Sequence, residues 1–317
     1  MKERTQVEIL TRTGTYGIVT SAIVKAHPPV TVLNAPLQFG TNENVTADAF
    51  WRAVDAYHWY GAYMTEAGGT SYNYVTNTGE DSFSFTADNE FPNLSEQEVI
   101  DFLTPLWESI REEGIEVRNI TVNPTSNWAR SSNNGEGDTP GNQRFGSRLF
   151  PKGSWADEEA FARMMEAIRD VVEGGYTFHG IFMNPTTEVG GWPGEESGLN
   201  PVFRDTYMHA DIFFAGDINE DEPYETLMAQ LREATPGGGA YINESDVEEP
   251  DFQQSFWGEN YERLYGIKKE RDPWGVFWAP STVGSEGWRV ESEGLVSQDG
   301  PLCRVRKRCR RGKKRAV

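Results

Sequence analysis

The chain has 317 residues, 37% of them hydrophobic and 12% aromatic, enough to bury a sizeable core in one large domain or two ordinary ones. Its net charge of −20 is uneven: residues 304–317 hold nine of the 29 basic residues and no acid, so residues 1–303 set 20 basic against 49 acidic side chains, a net −29. A body so acidic repels nucleic acid and anionic membranes, no apolar run is long enough to span a bilayer, and two cysteines, Cys303 and Cys309, supply neither a disulfide framework nor a zinc-type cluster.

The start, "MKERTQVEIL", has no signal-peptide pattern. A Gly-x-x-Gly turn at 14–17 then runs into "YGIVTSAIVKAHP" (16–28), which is expected to be a strand because it is rich in β-branched residues, and "TVLNAPLQF" (31–39) is expected to be another. The turn makes a weak phosphate loop, since it lacks both a G-x-G-x-x-G pattern and a G-K-[ST] ending. Phe50, Val54, Tyr57 and Tyr60 or Gly61 fall at helical spacing and predict a helix over 46–66. "SYNYVTN" (71–77) and "SFSFTAD" (82–88) alternate as an antiparallel pair would, and "SEQEVIDFLTPLWESIREEG" (95–114) opens on a capping box, Ser95 with Glu98, and stops at Gly114.

Further along, "VRNITVNP" (117–124), "RFGSRLFP" (144–151), "YTFHGIFMNP" (176–185) and "TYMHADIFFAGDI" (206–218) predict strands, with a helix at 157–175 and another near 223–235. The implied fold class is α+β, a mostly antiparallel sheet with helices on one face. Four N-x-S/T sequons, at Asn44, Asn93, Asn119 and Asn243, are no more than chance supplies in a chain of this length.

The chemistry-bearing candidates cluster late. In "GGAYINESD" (238–246) a strand would point Tyr241 and Asn243 to one face, and Gly237, Gly238 and Gly239 would let a backbone or a flat ligand come close. In "TYMHADIFFAGD" the acid Asp211 lies among apolar residues, where desolvation is expected to raise its pKa and improve it as a base, and His209 shares its face two residues earlier. A hydrogen-bonded strand residue is the plainer alternative for both. Arg204 and Asp205 are expected to form a structural ion pair. Glu244, Asp246, Glu248 and Glu249 are expected to be a solvated acidic edge, and no metal site is expected, because their spacing matches no calcium loop.

Residues 14–28, "SRLFP" at 147–151, "NPVFRDTYMH" at 200–209 and the run "YINESDVEEPDFQQSFWGENYERLYGIKKERDPWGVFWAPSTVGSEGW" at 241–288 together resemble the berberine bridge enzyme-like, FAD-linked oxidoreductases of fungi. The last run is the most specific, with Y-x-N-E-x-D, F-W-G-x-N-Y-x-R-L, K-x-x-x-D-P and V-G-S-E-x-W in order. The resemblance implies a remnant of the FAD-binding domain at 1–30, a substrate domain at 31–236, a segment returning to the flavin side at 237–303 and a disordered basic tail at 304–317. It implies FAD as cofactor, contacted by Gly14, Thr15, Tyr16, Gly17, Ile18, Val19, Tyr241 and Asn243, with Tyr241, Asp211 and His209 as catalytic candidates. A small-molecule substrate, a sugar or secondary metabolite oxidised at a hydroxyl or amine carbon, is implied with molecular oxygen as acceptor, and the chain is expected to be a monomer.

The family holds FAD mainly through an upstream domain and is mostly secreted. None of His27, His58, His179 and His209 matches a flavin-attachment motif, so the chain reads as truncated at its N-terminus. Two functions stay open: an FAD-dependent oxidase, or a substrate-domain remnant that retains no flavin.

Overall fold

Strict alternation of inward apolar and outward polar residues builds the sheet. In the computed structural model, which describes residues 16–18, 20, 21, 23, 30–117, 122–125, 144–190, 197–214, 221–291 and 300–305, seven strands run in the order β4-β1-β3-β2-β6-β7-β5, every neighbouring pair antiparallel. They are β1 (Val32–Gly40), β2 (Thr70–Gly79), β3 (Ser82–Pro92), β4 (Asn123–Thr125), β5 (Arg144–Pro151), β6 (Thr177–Phe182) and β7 (Thr206–Phe214).

One sheet face carries Leu37, Phe85, Val75, Phe178, Phe182, Ala210 and Ile212, all buried. Against it pack the amphipathic helices α1 (Ala47–Glu66), α2 (Glu96–Glu112), α3 (Glu158–Glu173) and α4 (Asp221–Ala234). Thr46 caps α1, Asp157 caps α3, and the capping box of Ser95 and Glu98 on α2 forms as expected. A buried polar chain crosses this inward side: Tyr57 donates to Asn89 Oδ1 at 2.6 Å, and Asn89 donates onward to Ala35 O at 2.9 Å. The fold class is thus an antiparallel sheet with helices on one side. The other face, against which none of these four helices packs, is where the candidate site lies.

The chain divides into two compact units. Residues 24–194 with 201–246 hold the sheet and its helices; residues 1–23, 195–200 and 247–317 form the other. The second unit is built on α5 (Tyr261–Arg271), where Asn260 Nδ2 donates to Leu199 O at 2.7 Å and Lys268 pairs with Asp272 at 2.7 Å. Asp272 also accepts from the backbone N–H groups of Val276 and Phe277 at 2.9 Å, which fixes the turn after the helix. A two-stranded ribbon pairs β8 (Trp288–Val290) with β9 (Leu302–Arg304). Among the described residues no helix is long and apolar enough to cross a membrane.

Three expectations need correction. The described residues of 16–28 form no strand: Tyr16 and Gly17 lie in a bend, and Ile18 and Ile23 are 81% and 86% exposed. β-branched content favours a strand only where a neighbour completes the hydrogen-bond ladder, and none of the described strands pairs there. The predicted strand at 117–124 contributes only its end to β4, its middle lying outside the described residues. The run 238–246 is a turn carrying one isolated bridge, Leu149 with Gly239, and not a strand. Of the tail expected to be disordered over 304–317, Arg304 ends β9 opposite Trp288, and residues 306–317 lie outside the described residues.

Candidate active site

Cross-strand register brings the site together. Tyr74 on β2 faces His179 on β6, His179 faces Asp211 on β7, and Asp211 faces Ser147 on β5, so the four side chains form one row across the helix-free face. His209, two residues before Asp211, stands on the same face. The inward alternation of Phe178, Gly180 and Phe182 is what turns His179 outward. That alternation is legible in "YTFHGIF", but the pairing of β6 with β7 is not, and the sequence therefore gave no reason to join His179 to Asp211.

Within the row, His179 Nδ1 lies 3.3 Å from Asp211 Oδ2, and His179 stacks flat on Tyr74 with ring centres 4.1 Å apart. His209 Nε2 lies 3.0 Å from Asp211 Oδ1 and donates at 3.0 Å to Glu244 Oε2. One N–H can point at only one of those oxygens. Asp211 Oδ1 accordingly has no hydrogen-bond partner, although the residue is 5% exposed.

The turn at 238–246 supplies the other half. Leu149 N–H donates to Gly239 O at 2.7 Å, and Tyr241 N–H donates to Ser147 Oγ at 3.2 Å. A Cβ on Gly238 would stand 2.5 Å from Leu149 O, so only glycine lets the two backbones approach this closely. A turn closed by Glu244 N–H donating to Tyr241 O at 3.0 Å then sets Tyr241, Asn243 and Glu244 beside His209. Asn243 Nδ2 donates to the Tyr241 phenol at 2.7 Å, and the Tyr241 ring stands edge-on to His209, centres 5.7 Å apart. The side chains of Tyr241 and Asn243 do meet, but through the turn and not through strand alternation.

Electrostatics overturn one expectation. Burial alone would raise Asp211, but His179 and His209 more than offset it and hold its carboxyl below the usual range. Asp211 is thus a weaker base than its apolar sequence context suggests. Burial alone would lower His209; the Asp211 and Glu244 carboxylates, each 3.0 Å from Nε2, override it and push the imidazole up to about 9, so it is an imidazolium at neutral pH.

The acidic edge is also corrected. Glu244 serves His209, Asp246 and Glu249 are 4% and 5% exposed, and Glu249 accepts from Ser255 Oγ at 2.6 Å; of the four only Glu248 is exposed. Arg204 gives Nη1–H to Pro185 O at 2.8 Å in place of the expected pairing with Asp205. Beside the row, a groove of about 910 Å³ runs along the same face over Pro36, Gln38, Thr86 and Asp88, sharing Tyr72 and Tyr74.

Of the residues expected to touch flavin, Gly14, Thr15 and Val19 lie outside the described residues. Tyr16 donates to Leu264 O at 3.3 Å, a Cβ on Gly17 would meet nothing within 4 Å, and Ile18 is exposed. No glycine-lined cradle for a dinucleotide exists among the described residues. The described residues do not by themselves fit FAD.

The family profile "Berberine and berberine like" matches residues 240–284. FAD-linked oxidoreductase ZEB1 of Gibberella zeae is 28% identical over 92% of this chain and 50% of its own length; FAD-linked oxidoreductase patO of Aspergillus clavatus is 30% identical over 92% and 51%. Among solved structures, the VAO-type flavoprotein MtVAO615 of Myceliophthora thermophila C1 superposes with a TM-score of 0.75 at 25% identity, over 92% of this chain and 53% of its own. Berberine bridge enzyme of Eschscholzia californica shares the fold with a TM-score of 0.55 at 14% identity, over 80% and 55%. The chain spans about half the length of the curated relatives it matches, and over that half it is similar to FAD-linked oxidoreductases, with residues 240–284 matching the berberine family.

Proposed function

We propose that this chain supplies the substrate-handling half of an FAD-dependent oxidase acting on a hydroxyl or amine carbon of a sugar or secondary metabolite, with oxygen as final acceptor. In this reading residues 31–236 are the substrate domain and 237–303 return to the flavin side. When bound, FAD would supply the hydride acceptor at N5. The chain's own residues manage the proton and the pose.

The observation that carries this reading is the convergence of Tyr241, His209 and Asp211 on the helix-free face. Tyr241 takes the proton-accepting role in this reading: its phenol oxygen accepts from the Asn243 amide, and its ring stands edge-on to the imidazolium of His209. His209, already protonated, cannot accept. Asp211 and Glu244 keep it charged, and His179 holds Asp211 in line. The groove over Tyr72 and Tyr74 offers flat walls to a ring-shaped substrate.

The alternative, a binding module without turnover, draws on the absence of a dinucleotide cradle among the described residues. Joining this chain to the flavin-binding half of a relative separates the two. In that flavoprotein Tyr241→Phe keeps the ring but removes the phenol, and turnover should fall by roughly 100-fold or more while flavin stays bound. Unchanged turnover at every pH would reduce Tyr241 to a wall of the pocket.

A further inference from the structure

We propose that His209 Nε2, Asp211 Oδ1 and Glu244 Oε2 form a binding site for one borderline divalent cation of the Zn²⁺ type. The three side chains come from two segments, β7 and the 238–246 turn, yet their donor atoms all lie within 4.8 Å of one another. Nε2 stands 3.0 Å from each carboxylate oxygen. Two ligands on adjacent corners of an octahedral ion, with bonds of about 2.1 Å, stand about 3.0 Å apart. The two Nε2–oxygen spacings are therefore those of two edges of such a shell, with its remaining positions left to water.

A second observation is independent of the spacing. Asp211 Oδ1 is buried, aimed at the cluster and without a hydrogen bond; a cation would satisfy it, whereas a single N–H on Nε2 already pointing to Glu244 does not. The outer layer is also in place, since His179 Nδ1 at 3.3 Å from Asp211 Oδ2 would orient the ligating carboxylate. The Glu244 side chain, 44% exposed, opens the cluster to solvent. One imidazole with two carboxylates suits a first-row ion, and three protein ligands are too few for Ca²⁺. On binding, the ion takes the Nε2 lone pair and the displaced proton leaves to solvent.

This inference stands on the cluster alone and not on the oxidation reading: a chain without turnover binds Zn²⁺ all the same. Titrating ZnCl₂ into the flavin-free chain near neutral pH by calorimetry should show one site. His209→Gln should abolish it, Glu244→Gln should weaken it at least about 10-fold, and His179→Gln should weaken it by about 10–100-fold. Co²⁺ should give a visible absorption band that Glu244→Gln removes; Glu244 lies at the surface, so far-UV circular dichroism of that variant should match the parent. No saturable binding, or binding equal in the parent and all three variants, would overturn the proposal.

Discussion

The charge on His209 depends on pH in a direction the structure fixes. Its folded pKa, about 9, lies above the ordinary value of about 6.5, so its stabilising contribution is complete below about 6.5 and disappears as pH rises through about 9. Asp211 acts with the opposite sense: held below the usual range, it stabilises above its unfolded pKa and loses that contribution as pH falls through its lower folded value. Melting curves should therefore show Tm falling on the alkaline side, with that fall much smaller in His209→Gln; equal alkaline falls in the two proteins would detach His209 from stability. His209 and Asp211 were legible as a pair because strand spacing of two puts them on one face. Glu244 was not, because reading 238–246 as a strand pointed it to the opposite face from Tyr241 and Asn243, whereas the turn brings it round onto His209.

At the scale of elements, patterning predicted best where an apolar face meets a packed neighbour. The helix at 46–66, the two hairpin strands after it and the capped helix from Ser95 all form, each with a buried stripe or an alternating face. The strand expected at 16–28 is not seen because its described residues find no ladder. Gly61, which fell at the apolar spacing of α1, has a specific reason: a Cβ there would stand 2.2 Å from the ring of Phe182 on β6. Alanine would raise helix propensity by about 1 kcal/mol, but Phe182 is fully buried and cannot yield. Gly61→Ala should thus destabilise by about 1–3 kcal/mol, checked by urea denaturation; a gain in stability would mean that helix and sheet can part at no cost.

For the whole molecule, sequence motifs identified the family while the geometry of its reactive face came only from sheet order, which no local pattern encodes. The same limit applies to the cofactor. The chain covers half the length of its FAD-linked relatives, and its described residues build no dinucleotide cradle, so the 317-residue protein should lose added FAD on dialysis; yellow protein that keeps its flavin would show a cradle in the remainder of the chain. Proton handling rests on one claim, that two carboxylates clamp a protonated His209 in the metal-free chain. Titrating the four histidines by NMR in the metal-free chain tests it most directly. His209 should titrate at about 9, well above the ordinary imidazole, and a His209 that loses its proton at or below about 6.5 would contradict the account.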